Sequence, residues 1–208
     1  MRFPKTIAAA ALTLALLAPL HAANQIDNYG APVSGTYFSN VAGSTITRPA
    51  DITAYAANET VCASKSLACV PGTIVVSSSS RIGHATAIRM TLFKSGSSTT
   101  NASFTIWLYS AAPGLATPTQ EDSTAYTGPR SADAPNYLGN ATCTSGTATS
   151  DTSPGVWYEC ALSNPNGAGA LILQALSGTV TINYLLSVTA AYTPVSGETF
   201  TPFLSGIY

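Results

Sequence analysis

A two-residue alternation of apolar and polar side chains constrains this chain more than any other feature of its sequence. The clearest case is TVTINYLLSVTAAYT, residues 179–193. The apolar set on one side comprises Val180, Ile182, Tyr184, Leu186, Val188, Ala190 and Tyr192. Because successive side chains of a β-strand point to opposite faces of a sheet, the pattern predicts a strand with one buried face.

Similar runs recur along the chain, separated by clusters of Gly, Pro, Asn and Ser. The further candidates are HATAIRMTLFKS, SFTIWLYSA, VWYECAL, GALILQALS and ETFTPFLSGIY. No convincing helix follows residue 20. The sequence therefore predicts an all-β fold, an antiparallel β-sandwich or jelly roll. Pro202 interrupts the last run, and we expect this strand at a sheet edge because proline cannot donate a ladder hydrogen bond.

The first 23 residues have a different character from the rest. Arg2 and Lys5 precede an apolar run that ends in HAA, which is typical of a secretory signal peptide cleaved after Ala22 or Ala23. A retained N-terminal arm that packs in an assembly is the alternative. The apolar run is short for a membrane span, so we expect no stable span after processing.

Three parts follow from these patterns. We predict a signal-peptide-like hydrophobic segment over residues 1–23, an N-terminal arm over 24–45 and a β-sandwich domain over 46–208. Within the domain, residues 110–155 are rich in Pro, Ser, Thr and Gly. We expect these residues to form loops at one end of the sandwich, where they could bind a ligand.

Charge is scarce in this sequence. Charged residues make up 8% of the chain, against roughly 25% in a typical soluble domain, and the formal net charge is -1. No basic run occurs, and nucleic-acid binding depends on clustered Lys and Arg. The composition therefore argues against a nucleic-acid partner, and a surface with so few charges has little to repel a second copy.

The cysteines fall into two local pairs. Cys62 and Cys69 are separated by six residues, and Cys143 and Cys160 by sixteen. An even number of cysteines behind a signal-like segment favours disulfides. Zinc is the competing interpretation, but no C-x-x-C spacing occurs and no histidine lies near either pair. We predict the disulfides Cys62–Cys69 and Cys143–Cys160.

Candidate catalytic and metal-ligating residues are sparse. His84 is the one histidine beyond the signal-like segment, and its position at the start of an alternating strand favours a structural role. Glu121 and Asp122 are adjacent and would point to opposite sides of an extended segment. The other acids considered are Asp133, Asp151 and Glu159. A hydrolase remains an alternative only if these scattered acids converge; we expect no enzyme activity, catalytic residue, cofactor or metal site.

Two further sets of residues are candidates for a functional role. The aromatic residues Trp107, Tyr109, Trp157 and Tyr158 could stack on sugars, although strand aromatics more often pack in a core or an interface. The stretch TRPADITAYAANETV, residues 47–61, holds Arg48 and Asp51 in a nearly uncharged chain. Pro49 keeps Arg48 out of a helix and Asp51 can accept nearby backbone N–H groups, so this stretch is predicted to lead into the first strand.

Three short motifs stand out in the predicted domain. They are TRPADITAYA at residues 47–56, FTIWLYSAAP at 104–113 and TPVSGETF at 193–200. With them, residues 46–208 resemble a group of tailed-bacteriophage virion proteins. The resemblance implies a capsid-associated structural protein of the virion, a decoration or cement protein built as a β-sandwich or jelly roll. Its implied partners are the capsid protein and other copies of itself, with a trimer as one form of the homo-oligomer.

A second class of function fits the leader and the cysteines better. Both features depart from the pattern of the virion group and are typical of exported proteins. The alternative is therefore a secreted or periplasmic β-sandwich binding module, either adhesin-like or carbohydrate-binding.

Overall fold

The structure is a computed structural model that describes residues 37–207 except 78–83, 99–101, 117–118, 151–154, 166 and 175–178, together with 25–26 and 32–33. The chain divides into two units, Met1–Gly35 and Thr36–Tyr208. In the first unit, strand β1 (Gln25–Ile26) pairs antiparallel with strand β2 (Pro32–Val33). The signal-peptide-like segment, residues 1–23, lies outside the described residues.

Twelve strands form one antiparallel sheet in the second unit. They are β3 (Tyr37–Ala42), β4 (Ile46–Thr47), β5 (Thr60–Val61), β6 (Gly72–Ser77), β7 (His84–Lys94), β8 (Phe104–Tyr109), β9 (Tyr137–Ser150), β10 (Val156–Asn164), β11 (Gly167–Ala168), β12 (Leu171–Gln174), β13 (Thr179–Val188) and β14 (Thr199–Ile207). A 3₁₀ turn, Ala134–Asn136, precedes β9. In the part of the chain that the structure describes, no helix is long and apolar enough to cross a membrane.

The order of the strands is that of a jelly roll. The eight long strands follow one another as β3-β14-β7-β10-β9-β8-β13-β6. Counted along the chain, the first of them pairs with the eighth, the second with the seventh, the third with the sixth and the fourth with the fifth. This pairing scheme is that of a jelly roll, in which the chain forms two Greek keys. The predicted all-β fold class is therefore confirmed. We name β3-β14-β7-β10 the first sheet and β9-β8-β13-β6 the second sheet.

The main hydrophobic core is built from the inward faces of both sheets. The face predicted to be buried on β8 and β13 is buried: Phe104, Ile106 and Leu108 are fully buried, as is Ile182. The opposite face is buried as well at Tyr109, Leu185 and Ser187, which the alternation did not predict. The Phe104 ring makes edge contacts with three rings, those of Tyr158, Tyr192 and Phe200, at centroid distances of 5.5, 5.6 and 5.3 Å. Each such side chain stabilises the fold by about 1.5–3 kcal/mol through burial.

The two ends of the curled sheet meet at Gly43 and Ile74, which form an antiparallel bridge. The Gly43 N–H donates to the Pro202 carbonyl over 2.8 Å, and the Ser44 N–H donates to the Thr73 carbonyl over 2.7 Å. A Cβ at Gly43 would lie 2.9 Å from the side chains of both Ile74 and Pro202. Glycine therefore allows the close approach that joins the two edges.

The expectation that the last strand lies at a sheet edge is wrong, because β14 lies between β7 and β3. Pro202 is tolerated there because of the direction in which it faces. The N and O atoms of one strand residue face the same neighbour, and the Pro202 carbonyl faces Gly43, between β3 and β4. The missing N–H thus faces the connection between two short pairing segments rather than a continuous ladder.

Two segments predicted as irregular contain strands. Strand β3 lies within the segment predicted as an arm and pairs with β14, and β9 occupies residues 137–150 of the predicted loop region. The loop prediction was wrong for β9, which pairs with β8 and β10. The composition of β9 alone is typical of a loop. The strand is stabilised by pairing with a neighbour on both edges and by its β-branched Thr residues.

Part of the outer face of the second sheet, on β8 and β13, is covered by the chain itself. A second hydrophobic cluster there contains Tyr109 of β8 and Leu185 of β13. The covering residues are Cys62, Cys69, Leu115 and Tyr126, with Trp107 and Tyr137 packed at the side. The segment around residues 110–136 and the loop closed by Cys62 and Cys69 therefore form an extra layer on this sheet.

Candidate functional site

Arg48 lies at the centre of a buried polar cluster, which we name the Arg48 cluster: Arg48, Asp51, Tyr55 and Asp122. The Arg48 side chain is fully buried. Its Nη2 lies 3.1 Å from Asp51 Oδ1 and 3.8 Å from Asp122 Oδ2, and its Nε donates to Tyr55 Oη over 3.0 Å. The Tyr55 hydroxyl in turn donates to Asp122 Oδ1 over 2.6 Å. Charge-assisted hydrogen bonds of this kind hold separate loops in a defined arrangement.

The Arg48 cluster ties three loops together. Asp122 Oδ1 also accepts the Cys62 N–H over 3.0 Å, which connects the cluster to the loop closed by Cys62 and Cys69. Lys65, within that loop, forms an ion pair of 3.0 Å with Asp51. The prediction that the stretch at residues 47–61 leads into the first strand is wrong, because β3 and β4 precede Arg48 in the chain. Arg48 and Asp51 instead connect the segment after β4 to the loops around Cys62 and Asp122.

The pKa values of the two carboxyl groups in this cluster are shifted in opposite directions. The Thr53 N–H and Lys65 hold the pKa of Asp51 well below its usual range. Burial raises the pKa of Asp122, against the opposing effect of its bonds to Tyr55 and Cys62. Asp122 Oδ2 has no hydrogen-bond donor in the described structure, consistent with a carboxylate that is costly to charge.

A second buried ion pair joins Lys94 at the end of β7 to Glu198 just before β14. Lys94 Nζ donates to Glu198 Oε1 over 2.9 Å and to the Gly96 carbonyl over 2.5 Å, and both side chains are fully buried. The Tyr192 hydroxyl donates to the other Glu198 oxygen, and Lys94 Nζ lies 5.4 Å from the centroid of the Tyr192 ring. Burial lowers the pKa of Lys94, and Glu198 opposes that shift. Both side chains are shielded from solvent, so the loss of either one would leave the other charge buried and unpaired.

The predicted cysteine pairs are brought together. The sulfur atoms of Cys62 and Cys69 lie at bonding distance, and so do those of Cys143 and Cys160. Cys143 and Cys160 are directly opposite residues of the paired strands β9 and β10. The Cys143–Cys160 bond therefore links β9 of the second sheet to β10 of the first sheet. The Cys62–Cys69 bond closes a loop over the second sheet.

The residues weighed for hydrolysis do not form a common site among the described residues. Glu159 lies on the outer face of β10 and pairs with Arg89 over 3.0 Å, whereas Asp133 is buried and accepts the Gly114 N–H over 2.8 Å. His84 begins β7, opposite Gln174 of β12, and Asp151 lies outside the described residues. No three His, Cys, Asp or Glu side chains of the described ranges are grouped closely enough to hold a metal ion.

The four aromatic residues weighed for sugar binding occupy different places. Tyr109 and Tyr158 are fully buried. Trp107 packs against Tyr126 at a centroid distance of 5.6 Å and donates its indole N–H to Ser187 Oγ over 2.9 Å. Trp157 alone of the four lies on the outer face of the first sheet, where it is half-buried.

Trp157 belongs to an aromatic cluster on this outer face, which we name the aromatic face: Phe93 of β7, Trp157 of β10 and Phe203 of β14. The Trp157 ring lies 5.0 Å from that of Phe93 and 5.0 Å from that of Phe203, at interplanar angles of 49° and 43°. The residues beside them on the same strands, Leu92, Tyr158 and Leu204, are buried, so the three rings point away from the core. None of the three belongs to either hydrophobic cluster.

Sequence reasoning missed Phe93 and Phe203 as members of one site, and it missed Lys94 and Glu198. Their strand alternation gave a signal for which face each residue occupies. It gave none for which strands are neighbours, and the aromatic face requires β7, β10 and β14 side by side.

Exposed apolar side chains lie on the loops that the Arg48 cluster holds. Ile52, Leu67 and Val70 are 68%, 69% and 81% exposed. We name these three the loop surface. A shallow groove of about 260 Å³ adjoins Val70 and is lined by residues 44–47, Ala63 and residues 70–72. The loop surface, like the aromatic face, is therefore apolar.

Comparisons with protein-family models, with curated proteins and with solved structures found no match to this chain.

Proposed function

We propose that this chain is a non-enzymatic structural protein of a virion, a decoration or cement protein that binds a capsid surface and other copies of itself. The observation that carries the proposal is the distribution of side chains in the described structure. Arg48, Lys94, Asp122 and Glu198 are buried in ion pairs, whereas uncharged aromatic and aliphatic side chains lie on an outer sheet face and on the loops. Such a molecule acts through contact area rather than through a reactive cleft.

The jelly-roll order is compatible with this role. Viral capsid proteins use the same order of strands, but so do lectins and cupins, and the fold by itself does not decide the function. The motifs at residues 47–56, 104–113 and 193–200 support the virion class over the others. A protein repeated over a lattice gains its affinity from many weak contacts, for which a surface with few charges is suited.

The loop surface is the part we assign to the capsid contact. Ile52, Leu67 and Val70 are apolar and exposed, while the loops that carry them are held by Arg48, by the Cys62–Cys69 disulfide and by the Lys65–Asp51 ion pair. A surface held in its bound conformation loses little entropy on binding. Apolar side chains on a rigid loop therefore contribute binding energy efficiently.

The test is binding of the purified chain to particles that lack it. The wild-type chain should bind with a fixed number of copies on each particle. Val70→Asp should weaken this binding by about tenfold or more, since burying one such side chain contributes about 1.5–3 kcal/mol. Val75→Asp is the matched control, because Val75 is 47% exposed on β6 and lies outside the loop surface. Finding the chain on no particle of its native source, or equal effects of the two variants, would contradict the proposal.

A secreted or periplasmic binding module is the second candidate, and the two disulfides favour it because they persist in oxidising compartments. Intact mass separates the two. A chain that begins at Met1 in purified particles supports the virion role, whereas a chain that begins near Ala23 or Asn24 in a periplasmic or culture fraction supports export. Glycan binding that is lost in Trp157→Ala would support the carbohydrate-binding form of this second candidate.

A further inference from the structure

We propose that the aromatic face is the interface between two copies of this chain, packed sheet against sheet about a two-fold axis. The inference rests on the proposed function, because it identifies where the self-association of that function takes place. Face-to-face packing of two β-sheets at about 10 Å is the ordinary way in which such faces are buried. In a two-fold interface the same patch of both copies must be complementary to itself.

The geometry of the rings favours another sheet over a sugar as the occupant. Trp157 contacts Phe93 and Phe203 at 5.0 Å with the ring planes tilted by 49° and 43°. Trp157 packs against the other two rings at a tilt, and each of the three rings is only partly exposed. A sugar platform needs a ring whose flat side is open, whereas a tilted and interlocked cluster presents ridges that fit between the side chains of a facing sheet.

The charges of this face are complementary to themselves. Arg89 of β7 and Glu159 of β10 lie on its exposed side, 57% and 62% exposed, and they pair over 3.0 Å. One positive and one negative charge give a patch with no net charge. When a copy is rotated by the two-fold axis, Arg89 of one copy can face Glu159 of the other and the reverse contact follows by symmetry.

The two sheets differ in how the apolar side chains on their outer faces are covered. The apolar side chains on the outer face of the second sheet, Tyr109 and Leu185, are covered within the same chain by Leu115, Tyr126 and the Cys62–Cys69 loop. The aromatic face carries three large rings that belong to no hydrophobic cluster of the described residues. Covering these rings with a second copy removes apolar surface from water on both copies, and the low charge of the chain opposes this packing little.

A charge-exchange experiment tests the symmetry directly. The full chain is prepared as Arg89→Glu and, separately, as Glu159→Arg, and each is examined by sedimentation equilibrium over a concentration series. Each variant alone places like charges across the axis and should be monomeric where the wild type is a dimer. An equimolar mixture restores opposite charges between the copies and should recover the dimer. A pair that matters only within one chain cannot be repaired by mixing, so failure of the mixture to dimerise would overturn the interface.

A second variant tests the centre of the face. Thr91 lies between Phe203 and Glu159 on the paired strands, and Thr91→Arg places a large side chain and an additional positive charge there, so that two patches of net positive charge would face each other across the axis. We expect it to weaken the dimer by roughly 100-fold. Thr181→Arg is the matched control, because Thr181 is exposed on β13 in the other sheet, and it should leave the dimer unchanged. Circular dichroism should show the same folded state for all variants.

The outcomes separate this inference from the proposed function. A wild-type chain that is monomeric at all concentrations, or a trimer insensitive to Thr91→Arg, overturns the two-fold interface. A monomer in which Trp157 is protected from acrylamide, measured in a Trp107→Phe background, also overturns it, because another part of the chain would then cover the face. If such a chain still binds capsids through the loop surface, the proposed function stands while this inference fails.

Discussion

Trp157 and Phe203 lie on strands that are not neighbours, yet their ring centroids are 5.0 Å apart. Strand β7 separates β10 from β14, and Phe93 of β7 completes the cluster. Three strands from distant parts of the sequence therefore build one aromatic surface on the outside of the first sheet. Its counterpart on the second sheet is covered by the chain's own loops, and this difference is the basis for assigning contact functions to particular faces.

Arg48→Ala should lower the free energy of unfolding by roughly 3–5 kcal/mol, because it leaves the buried Asp122 without its positive partner. Urea denaturation followed by circular dichroism measures the change. Arg89→Ala is the control: its ion pair with Glu159 is solvent-exposed, and we expect a loss of less than about 1 kcal/mol. Equal losses in the two variants would show that the Arg48 cluster does not hold the loops.

Lys94→Met should destabilise the chain by about 3–5 kcal/mol, since Glu198 would remain buried and unpaired. The double variant Lys94→Met/Glu198→Gln should recover part of this loss, because glutamine is neutral and still offers an acceptor to the Tyr192 hydroxyl. A double-mutant cycle from urea denaturation gives the coupling energy. Strict additivity of Lys94→Met and Glu198→Gln would mean that the two side chains do not interact.

Removing the Cys143–Cys160 disulfide with Cys143→Ala/Cys160→Ala should cost about 3 kcal/mol of stability, from the entropy of the loop that it closes. The Cys62–Cys69 disulfide closes a shorter loop, so its removal in Cys62→Ala/Cys69→Ala should cost somewhat less. It should also raise hydrogen exchange at the Cys62 N–H, which donates to Asp122. Non-reducing peptide mapping checks the pairing itself, and free thiols at all four positions would contradict it.

Alkaline titration should unfold the chain as its tyrosines ionise. Burial raises the pKa of seven of its ten tyrosines, namely Tyr55, Tyr109, Tyr126, Tyr137, Tyr158, Tyr184 and Tyr192. In the unfolded chain these groups ionise near pH 10. Their contribution to stability is therefore complete below about pH 10 and declines as the pH rises toward the folded values.

The measurement for this prediction is tyrosinate absorbance recorded beside far-ultraviolet circular dichroism. The main rise in absorbance should coincide with loss of the β signal. Ionisation of most tyrosines near pH 10 with the β signal intact would show that these side chains are not buried.

The strands could be predicted from the sequence because alternation is a local property. Val180, Ile182 and Leu186 point to one side in any extended backbone, whatever lies opposite. The disulfide pairing could be predicted for a similar reason, since each cysteine has a partner nearby in the chain. The edge position predicted for Pro202 failed because it depends on which strands lie on both sides, and no local pattern specifies that.

The sequence by itself determined that this chain folds as a β protein with two local disulfides and few charges to place. Only the tertiary structure decided which residues meet. Tyr55 and Asp122 are 67 residues apart and Lys94 and Glu198 are 104 apart, yet each pair is hydrogen-bonded in the interior. The jelly-roll order of strands produces these contacts and brings Phe93, Trp157 and Phe203 together on one outer face. Contacts of this range arise from the packing of the whole core, which the period of any one strand does not encode.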